Sequence, residues 1–188
     1  GSSVNQFEQV DEHAAPQWVV IDTETTGLGL EDRIIELAAL AVDPVSMVVV
    51  DRFVTLLNPG RDTGPENVHG ISNAMVAQSP SFTDVSESLA RFLHGRVLVA
   101  HNLEFDRRFL AAAFKSARTE IDLGIGFCTY RQGTHLTLAA SCEKYAISLQ
   151  GAHRAEADAR ATVALLAYCD QRLTFGGTPA QWLQPVCT

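Results

Sequence analysis

Three short β-like segments before residue 58, followed by a switch to alternating helices and strands, constrain this chain more than any other feature. Trp18-Val19-Val20-Ile21 is an apolar run that stops at Asp22, as expected of a buried strand that opens into the loop Thr25-Thr26-Gly27-Leu28-Gly29. From Arg33 to Asp43 the run IIELAALAV is interrupted only by Glu36. Pro44 to Ser46 then reads as a turn, and Met47 to Leu57 has the β-branched content of another strand. Three strands joined by short turns predict an antiparallel meander, closed by Asn58-Pro59-Gly60.

Beyond that point the periodicity becomes helical. Phe82, Val85, Leu89, Phe92 and Leu93 share one face, with Ser79-Pro80 as a start signal and Gly95 as a stop. Val97 to Ala100 reads as a short buried strand, Leu103 to about Ala117 as a second helix, and Phe127 to Tyr130 as a fifth strand. Leu136 to Tyr145 and Arg154 to Arg172 complete the helices. The order β-β-β-α-β-α-β-α-α predicts one α/β domain over 17–172, a mixed five-stranded sheet flanked by helices. Residues 1–16 are expected to be a flexible lead-in, with Gly1-Ser2-Ser3 as a tag scar, and 173–188, with two glycines and two prolines, a loose tail.

Composition narrows the class. The 188 residues are 46% hydrophobic and 19% charged, enough for a sizeable core, with no apolar run near the roughly 20 residues that cross a bilayer. No secretion signal is recognisable at the start, and a cytoplasmic protein without membrane contact is expected. Cys128, Cys142, Cys169 and Cys187 are widely spaced, which suggests reduced thiols over a zinc or disulfide scaffold. A net charge of −8 with only two lysines argues against a general nucleic-acid coat, though not against a grip at one point.

Acids occupy three places where patterning demands inward-facing residues. Asp106 shares a helix face with Phe109, Leu110 and Ala113, whereas Arg107 and Arg108 turn away. Asp158 aligns with Ala161, Thr162 and Leu165, while Glu156 and Arg160 lie about 200° round the helix. In Asp22-Thr23-Glu24, alternation puts both carboxylates on one side of an extended segment. If the strands ending near Ile21 and Ala100 are parallel neighbours, their C-terminal ends share one sheet edge, the usual place for an α/β active site. Carboxylates gathered there would repel by about 4 kcal/mol per pair at 4 Å and an effective dielectric near 20. An all-oxygen cluster of this kind selects hard cations such as Mg²⁺ or Mn²⁺. Taken singly, each aspartate is more often a turn or cap residue; the conjunction, with His153 five residues before Asp158, favours a site.

Four segments, Ile21-Asp22-Thr23-Glu24-Thr25-Thr26-Gly27, Asn67-Val68-His69-Gly70-Ile71, His101-Asn102-Leu103-Glu104-Phe105-Asp106 and His153-Arg154-Ala155-Glu156-Ala157-Asp158-Ala159, resemble the motifs of the DEDDh 3′→5′ exonucleases. The likeness is strongest to the proofreading epsilon subunit of bacterial DNA polymerase III and its free-standing relatives, and it covers roughly residues 17–172. It implies a ribonuclease-H-like fold and hydrolysis assisted by two Mg²⁺ or Mn²⁺ ions. Asp22, Glu24 and Asp158 would hold the first ion, Asp22 would bridge to the second, and Asp106 would bind through metal waters. His153 would be the general base, and its place between Gly151 and the helix suggests a segment that swings. The sister branch carries a tyrosine four residues before the last aspartate; here that residue is Arg154.

By the same resemblance, the backbone from Thr25 through Gly27 to Leu28 would cradle the terminal nucleotide, with Leu28 as an apolar wedge. His69, Asn102 and Phe105 would touch the terminal sugar and base. Plainer roles exist for several of these: Leu28 and Phe105 as core, and His69 as a turn cap. His13, His94, His101 and His135 have no metal-like spacing. One departure is a short link of about six residues before Leu136, where many relatives have a full helix. The expected activity is release of nucleoside monophosphates from DNA 3′ ends, in proofreading, with a polymerase or clamp as partner and the segment Gln181-Trp182-Leu183 as a candidate dock. The competing readings are a 3′→5′ exoribonuclease and a non-catalytic binding module. With no broad basic face, short-footprint binding is expected, helped by Arg107, Arg108 or Arg154.

Overall fold

The computed structural model describes residues 15–173 and 183–188, with side chains of 170–173 left aside. The lead-in through residue 14, His13 included, and Gln181-Trp182 of the tail therefore lie outside the described residues.

The expected meander forms as β1 (Trp18–Thr25), β2 (Ile34–Val42) and β3 (Val49–Leu56). Two short helices, α1 (Glu66–His69) and α2 (Asn73–Val76), precede α3 (Phe82–Leu93). Then follow β4 (Val97–Ala100), α4 (Leu103–Ser116), β5 (Phe127–Cys128), a π-helical turn (Tyr130–Thr134), α5 (Leu138–Lys144) and α6 (Ala155–Leu173). The sheet order is β3-β2-β1-β4-β5. β2 is antiparallel to both neighbours, whereas β4 is parallel to β1 and to β5, so the sheet is mixed.

Strand periodicity divides the core into two layers. Val19, Ile21, Leu98 and Ala100 face α3 and α4, packing with Leu89, Leu93, Phe109, Leu110 and Phe114. Trp18, Val20, Val97, Val99 and Phe127 face α6, against Ala155, Ala159, Leu165 and Leu166. Both faces of β1 and β2 are thus covered, which is why β2 reads as an almost unbroken apolar run. Each fully buried Leu or Phe in these layers contributes on the order of 1.5–3 kcal/mol.

Several boundaries differ from the sequence reading. β1 does not stop at Asp22 but continues to Thr25, paired with β2 throughout. α3 begins one residue after Ser81, whose hydroxyl accepts the Asp84 N–H (3.2 Å) while the Asp84 carboxylate accepts the Ser81 N–H (3.0 Å), a reciprocal N-terminal cap. Helices α1 and α2 are too short to leave a periodic signal. The short link before Leu136 winds into the π-helical turn. His101 fastens it through Nδ1 to the Thr129 hydroxyl (2.8 Å) and Nε2 to the Leu136 carbonyl (2.7 Å).

The described end of the chain is not loose. Val186 accepts the Gly95 N–H and donates to the Arg96 carbonyl, both at 2.8 Å, and Cys187 exchanges two backbone bonds with Asp122. Leu183 and Val186 are each 1% exposed. No helix among the described residues is long and apolar enough to cross a membrane.

Candidate functional site

Because β1 runs extended through Asp22 and Glu24, both carboxylates emerge on the sheet face that carries α6. α6 brings Asp158 to the same place, one turn below its start. Asp22, Glu24 and Asp158 each offer a carboxylate oxygen, and the three oxygens lie within 4.8 Å of one another. Asp106 approaches from the other layer. Its Oδ1 accepts the Thr23 N–H (3.1 Å) and the Thr23 hydroxyl (2.7 Å), and Thr23 projects opposite to its two acidic neighbours. The expected four-acid ligand set is thus three acids that converge, with Asp106 tied to β1 from behind.

This arrangement is only partly compensated by neighbouring donors and cations. Burial, reinforced by Asp106, Asp158, Glu24 and Glu36, pushes the Asp22 carboxyl well above the usual carboxylate range. Glu24 is raised from 4.5 to about 8, first by burial and then by Asp158, Glu36 and Asp106. Burial lifts Asp106 to about 7 against the opposing bonds from Thr23. It also raises Asp158, against the pull of the His153 N–H and imidazole. The Oδ2 atom of Asp22 is buried with no hydrogen-bond partner. Such an acceptor costs about 1–3 kcal/mol or more unless something binds it. The donor set is all oxygen and anionic, and a hard divalent cation fits it.

His153 stands exposed in the turn 151–154 with φ +69°, next to Gly151 at φ +74°. Its neighbour Arg154 is not available to a ligand in the way expected. The guanidinium lies along the Glu36 carboxylate, with Nε to Oε1 at 2.9 Å and Nη2 to Oε2 at 2.6 Å. Glu36, only 4% exposed, was visible in the sequence as the one charge in the β2 run, but its partner was not. Arg107 and Arg108 are also engaged internally, donating to the Gly124 carbonyl (2.6 Å) and the Leu28 carbonyl (3.1 Å).

The expected substrate residues divide. Thr25 donates its hydroxyl to the Gly27 carbonyl at 2.7 Å, and Asp32 gathers the loop by accepting from the Thr26 hydroxyl and the Gly29 N–H, both at 2.8 Å. A Cβ on Gly27 would stand 2.5 Å from the Asp32 carboxylate, so a larger residue there would displace the side chain that gathers the loop. Leu28 is 77% exposed at its tip, which removes the core alternative. Arg108 links that tip to α4 and lies over the rings of Phe105 (5.8 Å) and Phe109 (5.2 Å). Phe105 is half-buried against Phe109, and Asn102 is exposed in a left-handed conformation (φ 75°) at the head of α4. His69 departs from the expectation of a substrate contact: it is 3% exposed. Its Nε2 bonds the Thr63 carbonyl (2.8 Å) and its Nδ1 accepts the Ile71 N–H (2.9 Å), so both nitrogens serve the loop that holds it.

The exonuclease family profile RNase_T matches residues 19–166. The chain is 34% identical over 174 residues to the DNA polymerase III subunit epsilon of Treponema pallidum, covering 83% of this chain and 76% of that one. It is 44% identical over 97 residues to a DNA polymerase III subunit epsilon-like protein of Rhodobacter capsulatus, a stretch that is 50% of this chain and 14% of the larger protein. Among solved structures, Exonuclease X in complex with 5′ overhanging duplex DNA superposes with a TM-score of 0.68. The identity is 27%, over 88% of this chain and 96% of that one.

Proposed function

The chain belongs to the RNase_T exonuclease family, and from that premise we propose that it removes nucleoside monophosphates stepwise from DNA 3′ ends by metal-dependent hydrolysis. The observation that carries this reading is the Asp22, Glu24 and Asp158 triplet, one of whose members, Asp22, also has a buried, unpartnered Oδ2. These three acids would hold the cation directly, and Asp106 would act from behind β1 through metal-bound water. Bound Mg²⁺ or Mn²⁺, two ions in this reading, would supply Lewis acidity and neutralise charge on the phosphate and on the departing oxygen.

The chain's own residues would do the remaining work. His153, exposed and adjacent to the acids, would take a proton from the water that attacks the terminal phosphorus. As the new O–P bond forms, the bond to the 3′-oxygen of the penultimate nucleotide breaks, that oxygen takes a proton from solvent and leaves as a hydroxyl, and the imidazolium returns its proton to solvent. Imidazole suits this role because its unperturbed pKa near 6.5 lets it accept a proton close to neutral pH. The Thr25–Leu28 loop, held shut by Asp32, would present backbone to the terminal nucleotide, and the exposed Leu28 would enter beside its base. Stacking of this kind reads any base, so little sequence preference is expected.

DNA as the substrate class is supported by the likeness to a DNA polymerase III subunit epsilon over most of both chains. The same likeness supports a cytoplasmic polymerase as the partner, with proofreading as the setting. The test is to incubate the purified chain with 5′-end-labelled single-stranded DNA, mismatched duplex and short RNA, with Mg²⁺, Mn²⁺ or chelator. Metal-dependent loss of single nucleotides from the DNA 3′ end is expected. Activity that survives in Asp22→Ala or Asp158→Ala would overturn the assignment of the site, and exclusive cleavage of RNA would overturn the substrate.

A further inference from the structure

We propose that the Glu36–Arg154 ion pair is a positioning device that fixes the pivot from which His153 reaches the reaction. The proposal rests on the reading of His153 as general base, and goes beyond it by assigning residues that touch neither metal nor substrate.

Glu36 is the third residue of β2, in register with Glu24 on β1, and although it adds to the repulsion there its carboxylate is taken up by donors at the start of α6. The carboxylate is occupied by Arg154 through two guanidinium nitrogens, at 2.9 and 2.6 Å, and by the Ala155 N–H at 2.8 Å. Parallel N–H bonds from a planar fork fix orientation as well as distance, which a lysine could not do. Arg154 is thereby pinned to the sheet through its side chain, and the next residue through its backbone.

The same residue joins two segments of different character. Downstream, its carbonyl accepts the Asp158 N–H at 3.1 Å, the first turn of α6. That helix is also held by Ala155 and Ala159, both fully buried, so the place of Asp158 does not depend on the ion pair alone. Upstream, the Arg154 N–H bonds the Gly151 carbonyl at 3.1 Å and closes the exposed turn that carries His153. Both Gly151 and His153 have positive φ, and among the described residues no packing contact comparable to that of α6 holds this turn. The His153 N–H also bonds the Asp158 carboxylate, so the turn is tied to α6 at His153, while the ion pair fixes its downstream end at Arg154 to the sheet.

The test uses the full chain and single-turnover cleavage of end-labelled single-stranded DNA in Mg²⁺. Arg154→Met and the double variant Glu36→Gln/Arg154→Met are each made in the parent and in the His153→Ala background. The double variant removes the buried charge that the single one would strand, and thermal melting confirms that it folds. Both are expected to lower kcat by roughly 10–100-fold, the scale of a misplaced catalytic group, with KM changed less than about threefold. In the His153→Ala background the same substitutions should change kcat by less than about threefold, because the group they position is gone. Equal losses in both backgrounds would mean a merely structural pair and would overturn the proposal, as would parent-like kcat in the double variant. A parent chain with no 3′ nuclease activity would instead remove the exonuclease reading itself.

Discussion

Replacing Glu24 by glutamine should stabilise the metal-free protein at alkaline pH and destabilise it relative to the parent once Mg²⁺ is present. In the folded chain the Glu24 carboxyl is raised from 4.5 to about 8, chiefly by burial and by Asp158, Glu36 and Asp106. The folded state therefore binds a proton that the unfolded state has released between about pH 4.5 and 8. Stability from this group is largest at low pH, falls as pH rises through that window, and is flat above it. At about 1.36 kcal/mol per unit, the shift sets a ceiling near 5 kcal/mol on the cost of ionised Glu24. The side chain is only partly buried, and solvent screening reduces this to about 2 kcal/mol.

Glutamine keeps the shape and removes the charge, so in chelator at pH 9 the melting temperature should rise by about 4–8 °C, with little difference at pH 5. Saturating Mg²⁺ adds about 2.7 kcal/mol to the parent at one hundred times its dissociation constant, and much less to a variant that has lost a ligand. The order of melting temperatures should therefore invert. Circular-dichroism melts at both pH values, with chelator and with Mg²⁺, measure each term. A Glu24→Gln protein that melts below the parent in chelator at pH 9 would refute the claim that the converging acids strain the metal-free fold.

His153→Ala should lower kcat by about 10²–10⁴-fold while the Mg²⁺-dependent rise in melting temperature persists; loss of that rise would make the histidine a ligand. Leu28→Ala should leave the melt unchanged, because the side chain is 77% exposed, and raise KM for single-stranded DNA by roughly 5–30-fold if the leucine is buried against bases. His69→Ala should cost about 2–3 kcal/mol in denaturant unfolding, since it strands the Thr63 carbonyl and the Ile71 N–H in a buried loop. A neutral result there would reopen a substrate role for the ring. Binding of single-stranded DNA should weaken only shallowly with salt, at a slope of about −2 or less in log–log form if no more than about three phosphates are neutralised. A steep slope would reveal a basic track that the internally bonded arginines do not provide.

What was legible in the sequence was whatever depends on local period. Alternation along β1 placed Asp22 and Glu24 on one side, and helical spacing turned Asp106 and Asp158 inward; the sheet and helices that follow from the same rules are present. The rest depends on partners distant in sequence. Arg154 lies 118 residues from Glu36, and nothing near either residue signals the other. The docking of residues 183–188 combines backbone bonds to Gly95, Arg96, Asp122 and Ile125 with burial of Leu183 and Val186, and two apolar residues three apart carry too little period to advertise it. His69 follows the same logic: its side chain satisfies two backbone groups of one irregular loop, a function with no periodic signature.

The division of β1 into two faces gives these observations a common cause. Alternation sends Asp22 and Glu24 toward α6 and Thr23 toward α4, so a single extended segment is addressed by an acid from each layer. Asp158 closes the anionic cluster from one side, while Asp106 grips Thr23 from the other and ties down the strand that carries Asp22 and Glu24. A carboxylate with both a backbone and a hydroxyl bond is a poor candidate for direct coordination at the bonded oxygen, and a good one for holding the register of β1. On the α6 side Arg154 pairs with Glu36 and also draws Glu24 down, but burial and the neighbouring acids still raise Glu24, which leaves net repulsion for a cation to relieve. The fold thus gives Glu36 and Asp106 several donors each, while among the described residues the buried Oδ2 of Asp22 has none.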